Sequence, residues 1–219
     1  MQDLTRELRC DFTLREVVDT TAPSAAVGDR EGVARRVLEY RAAPVSRATA
    51  VTRYAPGEEI PAPPAAGGEE LLVLRGEFSD ERAHYASGAY LRNASGGRRR
   101  TTAGCVLFEK TGHLAADDRA SLAVDSSTGA WRPGMYSGLQ NLLLAAVGTE
   151  RTVLVRWAAG TQIPPHTHAT VEETLVIEGE LQDEFGRYPA GTWFRVPQGS
   201  THAPRSDNGA LILIKVGQL

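Results

Sequence analysis

Short apolar runs alternate with turn residues along most of the chain. Ala50-Val51-Thr52-Arg53-Tyr54 and Thr152-Val153-Leu154-Val155-Arg156-Trp157 are brief and β-branched. Glu70 to Leu74 and Glu173 to Ile177 are apolar runs that close near a glycine, and Gly88-Ala89-Tyr90-Leu91 and Gly191-Thr192-Trp193-Phe194 each begin an apolar run after a turn. Turn residues recur about every 8–12 positions, the spacing of an all-β sandwich or barrel. Helical periodicity is weak and predicts only short helices near Thr13–Val18 and Arg30–Leu38. The longest apolar run, Leu142 to Val147, is far too short to span a bilayer as a helix.

The pattern is written twice. Arg53, Ala55, Gly57, Ile60, Pro61, Glu69, Glu70, Gly76, Glu77, Asp80, Glu81, Gly88, Arg92 and Gly96 each reappear 103 positions later. Without a gap, residues 53–96 share 18 of 44 positions with residues 156–199. The likeness extends outward with small shifts: Val18-Asp19-Thr20 answers Val124-Asp125-Ser126, and Leu107 to Lys110 answers Leu211 to Lys215. Two β domains are predicted, 15–112 and 120–219, since such a period marks one structural unit copied in tandem.

Composition narrows the function classes. With a net charge of −3 and a sequence pI near 6.0, the 219 residues are not expected to bind nucleic acid or a membrane surface. Cys10 and Cys105 stand far apart and build no disulfide framework, and the amino terminus lacks a basic region followed by an apolar core. A cytoplasmic protein without a leader is the expectation. Cys105 falls on an expected core strand, whereas His84 and His113 are expected on the surface.

The chemistry concentrates in the second copy. Gly160 is followed by His166, His168, Glu172 and Gly179, and Gly191 by Pro197, Gly199 and His202. Residues two apart on a strand face the same side, so His166 and His168 point together and Glu172 keeps their parity. His202 comes from a later strand that a barrel brings alongside. Three imidazoles and a carboxylate form a donor set for a first-row divalent metal.

The spacing resembles the two motifs of the cupin superfamily, Gly-x5-His-x-His-x3–4-Glu-x6-Gly and Gly-x5-Pro-x-Gly-x2-His-x3-Asn. The first is matched at every fixed position, and the second up to His202, its closing Asn being Ser206. Arg156-Trp157, Glu172-Glu173, Gly191-Thr192-Trp193 and His202-Ala203-Pro204 narrow the resemblance to ChrR-like cupins. It implies two tandem double-stranded β-helix (jelly-roll) barrels. It also implies one divalent metal per chain, Zn or Fe with Mn or Ni open, held by His166, His168, Glu172 and His202. That family includes the cupin domain of a zinc-dependent anti-sigma factor. Related cupins include iron dioxygenases of small diketones or hydroxyaryl ketones.

By the constant offset, the first copy places Pro63, Ala65, Glu69 and Arg99 where the second has His166, His168, Glu172 and His202, and Ala94 where it has Pro197. No metal is expected there. A buried Glu69 needs a partner, and Arg99 is the candidate, against the alternative that Arg98-Arg99-Arg100 is a solvated hairpin tip.

Two functions remain open. One is a regulatory or sensing module that binds a small molecule at the metal. The other is a metal-dependent dioxygenase. Trp157, Trp193, Tyr188 and Arg195 are candidates to line the mouth of the barrel. A complete anti-sigma activity is not expected, because the first copy begins near residue 15 and leaves no room for a sigma-binding domain. A homodimer is open.

Overall fold

A computed structural model describes residues 7–22, 30–42, 46–62, 67–93, 98–115, 118 and 121–217. Among them there is no helix, and no helix long and apolar enough to cross a membrane. Thr13–Val18 and Arg30–Leu38 are not helical: Glu16–Asp19 and Val33–Arg41 are strands. Strand pairing decides both, with the distant Thr192–Arg195 for the first and the adjacent Arg47–Tyr54 for the second, because a short segment with weak periodicity gains more from a sheet ladder than from an isolated helical turn.

The chain forms two compact units, Met1–Cys10 with Pro23–Thr128, and Asp11–Ala22 with Gly129–Leu219. In the C-terminal unit, Glu16–Asp19 lies at one sheet edge. Thr192–Val196, Glu172–Asp183, Ala210–Val216, Glu150–Trp157, Leu139–Val147 and Arg132–Pro133 follow in order. All pairs are antiparallel. The long strand Glu172–Asp183 serves two sheets. Its first half pairs with Ala210–Val216, and its far end pairs with Gly186–Pro189 and, through Gln182, with Arg205. A register shift between Val176 and Glu178 bends it, and Gly179 follows at φ +70. The bend wraps the sheet around a core of Val155, Trp157, Val176, Leu181, Tyr188, Phe194, Val196 and Ile212.

The N-terminal unit repeats the plan. Leu122–Asp125, Ala89–Arg92, Glu69–Ser79, Cys105–Thr111, Arg47–Tyr54 and Val33–Arg41 form its sheet, with the bend between Val73 and Arg75. Cys105 packs in the core with Tyr54, Leu71, Phe78 and Leu107.

The repeats in the sequence and the units in space differ in their first strand. Glu16–Asp19 opens the first copy yet pairs with Thr192–Arg195, while Leu122–Asp125 opens the second copy and pairs with Ala89–Arg92. Equivalent strands therefore make equivalent pairings, each in the unit built mainly from the other copy.

Candidate metal centre

Two short strands carry the histidines. His166–Thr167 pairs with Thr201–His202, so His166 stands directly opposite His202. His168 follows in a loop, where its N–H donates to Ser200 O at 3.0 Å and its carbonyl accepts from Gly199 N at 2.8 Å. Pro197 to Ser200 close a turn by the bond from Ser200 N to Pro197 O at 3.2 Å. Gly199 has φ +78 at the third position of that turn, which only glycine adopts without strain.

The three imidazoles pack against one another with centroids 4.8, 4.8 and 5.1 Å apart, His166 and His202 edge to face and the other two pairs tilted. One ligand atom from each can be chosen so that all lie within 4.8 Å of one another. Among the described residues this is the only group of three or more such side chains so placed. His202 Nδ1 lies 3.0 Å from Asp183 Oδ2, and His166 Nδ1 lies 3.3 Å from Pro164 O. Each contact engages Nδ1, which makes Nε2 the candidate ligand atom of both rings. His168 Nε2 is buried with no hydrogen-bond partner.

Charge fits the same reading. Burial lowers His166, and burial together with its two histidine neighbours lowers His168 to about 4. His166 and His168 are therefore neutral at pH 7, the form that ligates a metal. Glu172 Oε2 lies 3.7 Å from His168 Nδ1, and Glu172 Oε1 accepts from Thr174 Oγ1 at 3.2 Å. Burial raises the Glu172 carboxyl to about 7. An unpartnered buried nitrogen among converging imidazoles, beside a carboxyl raised by burial, suits a divalent cation. Glu172 borders the triad without sharing its tight grouping. Glu173 turns to the other face of the strand, across from Arg195 and Lys215.

The candidate lining residues divide. Trp157 and Tyr188 are buried in the core on the inner face of the barrel. Phe194 and Val196 share that core, so the alternate residues Trp193 and Arg195 stand on the opposite face of their strand. There the Arg195 guanidinium lies 4.2 Å from the Phe12 ring centroid. Tyr188 has a polar role: its hydroxyl donates to Asp183 Oδ1 at 2.7 Å and accepts from Arg15 Nη2 at 2.6 Å.

Asp183 escaped the sequence reading as a partner of His202, although the repeated Asp-Glu pair at 80–81 and 183–184 marked the position. His84 is exposed as expected, while His113 is half-buried rather than on the surface, because the segment that follows Thr111 packs back on its unit through Leu114 N to Gly67 O at 2.8 Å.

In the N-terminal unit, Pro63, Ala65 and Ala94 lie outside the described residues. Glu69 and Arg99 form a buried ion pair, which excludes the solvated tip for Arg99. The assignment of Arg99 to the place of His202 needs correction. Arg100 pairs with Ser79 as Arg205 pairs with Gln182. Thr101 Oγ1 donates to Glu77 O as Ser206 Oγ donates to Glu180 O. This register aligns Arg99 with Pro204, and His202 with Gly97, which lies outside the described residues. The hairpin of the first copy is two residues shorter, so an offset valid up to residue 93 fails beyond it.

Antiparallel jelly-roll barrels with this histidine spacing define the cupin class. Residues 15–115 and 119–219 each match the ChrR Cupin-like domain. The chain belongs to that family. No curated protein matches it significantly. Among solved structures, a candidate dioxygenase from Nostoc punctiforme is similar with TM-score 0.75 and 15% identity, over 94% of this chain and 83% of that one. Salicylate 1,2-dioxygenase from Pseudoaminobacter salicylatoxidans gives 0.58 and 12%, over 78% and 71%. Bacillus subtilis oxalate decarboxylase, whose structure concerns Mn(II) centres, gives 0.56 and 12%, over 79% and 69%. At these identities the likeness is one of fold.

Proposed function

We propose that the C-terminal unit binds one divalent metal ion through His166, His168 and His202, with Glu172 as a weaker fourth ligand, and holds a small oxygen-donor molecule at that ion for sensing or regulation. The carrying observation is His168 Nε2, a buried nitrogen without a partner amid three converging imidazoles. Nitrogen and oxygen donors without a thiolate suit Zn, Fe, Mn or Ni. A bound ion supplies Lewis acidity and open positions for an oxygen ligand. The protein's own part is to keep His166 and His168 neutral and to hold all three imidazoles together.

A second reading, metal-dependent oxygenation of a small diketone or hydroxyaryl ketone, is favoured by the looser place of Glu172. Three close imidazoles with a labile carboxylate leave room for both dioxygen and a chelating substrate. The fold it shares with two proteins described as dioxygenases is consistent with this.

Elemental analysis of the full chain purified from its native host, followed by chelation and reloading, tests the proposal. One ion per chain, lost in His166→Ala, is expected. No bound ion, or an ion retained in His166→Ala and His202→Ala, would sink it. Substrate-dependent oxygen uptake after Fe(II) loading would select the oxygenase reading; zinc with no uptake would select sensing.

A further inference from the structure

Asp183 is built into the C-terminal unit at both of its oxygens. Oδ1 accepts the N–H of Phe185 at 2.9 Å, the N–H of Gly186 at 3.1 Å and the Tyr188 hydroxyl at 2.7 Å. Oδ2 faces His202 Nδ1 at 3.0 Å and accepts from Arg15 Nη2 at 2.7 Å. The side chain of Asp183 is 1% exposed and that of Arg15 20%.

The other unit separates these two roles. Asp80 occupies the equivalent turn, and its Oδ1 accepts the N–H groups of Arg82 at 2.8 Å and Ala83 at 3.0 Å, with the Tyr85 hydroxyl at 3.3 Å. Bracing the turn is thus common to both units and needs no metal. The residues that meet Oδ2 are particular to the unit with the histidines. Glu16 pairs with Arg195 as Leu122 pairs with Arg92, so Arg15 is aligned with Ser121. The counterpart of His202 is Gly97. Histidine and arginine are both missing where the aspartate alone remains.

We propose that Asp183 and Arg15 are positioning residues for His202. Asp183 fixes the imidazole with its Nδ1–H toward the carboxylate and its Nε2 toward the metal, and Arg15 holds Oδ2 in place. The inference rests on the metal reading above. A carboxylate behind a ligating histidine sets its orientation and raises its basicity. The carboxylate has other bonds to satisfy, and Arg15 reaches it from beside the edge strand Glu16–Asp19, stacked 4.6 Å from the Phe185 ring centroid. The metal site therefore depends on the seating of a segment about 170 residues away in sequence, as the contact between residues 15 and 183 shows.

The full chain, stripped by chelation, is titrated with Zn(II) against a competing chelator and with Co(II) by visible absorption. Asp183→Asn and Arg15→Met should each bind one ion with roughly 10- to 100-fold weaker affinity and a changed Co(II) spectrum. Arg15→Lys should recover most of the loss, and Asp80→Asn should bind as the parent does. Should Asp183→Asn not fold, Arg15→Met carries the test, its fold checked by metal-free melting. Unchanged affinity and spectrum in Arg15→Met would overturn the proposal, as would an equal loss in Asp80→Asn. A parent chain that binds no ion would instead overturn the metal reading beneath it.

Discussion

Arg99 and Glu69 form an ion pair inside the N-terminal unit with almost no exposure of either side chain, and Arg99 reaches it from the register position that Pro204 holds in the other unit. Glu69 itself is aligned with Glu172, since Glu69 pairs with Thr111 as Glu172 pairs with Val216. One carboxylate thus persists in both barrels. In one it borders a histidine triad, and in the other a guanidinium supplies the positive charge. Nearby, Glu109 accepts from Thr52 Oγ1 at 2.6 Å and from the Tyr54 hydroxyl at 3.0 Å, so the interior carboxylates of this barrel are partnered within the protein.

Removing one member of the pair should cost far more than removing both. Arg99→Met leaves Glu69 buried without its cation and should destabilise the N-terminal unit by about 3–5 kcal/mol. The double variant Glu69→Leu with Arg99→Met should recover much of that loss. Denaturant unfolding of the four proteins in the cycle reads this directly, and additive losses would contradict a buried pair.

Glu172 should matter less to the metal than any of the three histidines. Its carboxylate lies beside His168 rather than within the tight group. Glu172→Gln should keep one ion per chain with affinity weakened about 10-fold, and His168→Ala should lose it, by competition titration. Equal losses would make Glu172 a full ligand.

Gly179 and Gly160 both have positive φ, at +70 and +75, but differ in their surroundings. A Cβ on Gly179 would sit 2.0 Å from Gly209 O, whereas one on Gly160 meets nothing within 4 Å. Gly160→Ala should cost only the left-handed backbone strain, about 1–3 kcal/mol. Gly179→Ala should cost clearly more, because backbone must shift where the long strand bends. Thermal unfolding of the two variants compares them.

The Cys105 thiol should stay silent toward thiol reagents at pH 8 in the native chain. Burial raises it to about 11, and a raised thiol pKa withholds the reactive thiolate until the pH approaches that value. Cys10 is half-buried and also raised, mainly by burial, and its thiol lies 2.9 Å from Tyr40 O. One slow and one silent thiol are expected, and both should react on unfolding. Fast modification of Cys105 in the folded protein would contradict its place in the core.

Alternating short strands, the 103-residue repeat, and the spacing of His166, His168 and His202 were legible in the sequence because each is a local pattern. Period two sets the face, glycine sets the turn, and a repeat copies both. The same patterns revealed that the first copy lacks the histidines. Three features were decided only by tertiary structure. Glu16–Asp19 joins the sheet of the second copy, Arg15 and Asp183 meet behind His202, and Arg99 reaches Glu69 from a shifted register. Each depends on which distant strand completes a hydrogen-bonded edge. Side chains far apart in sequence meet only after that pairing is made, and a two-residue change in one hairpin is enough to move a residue from one partner to another.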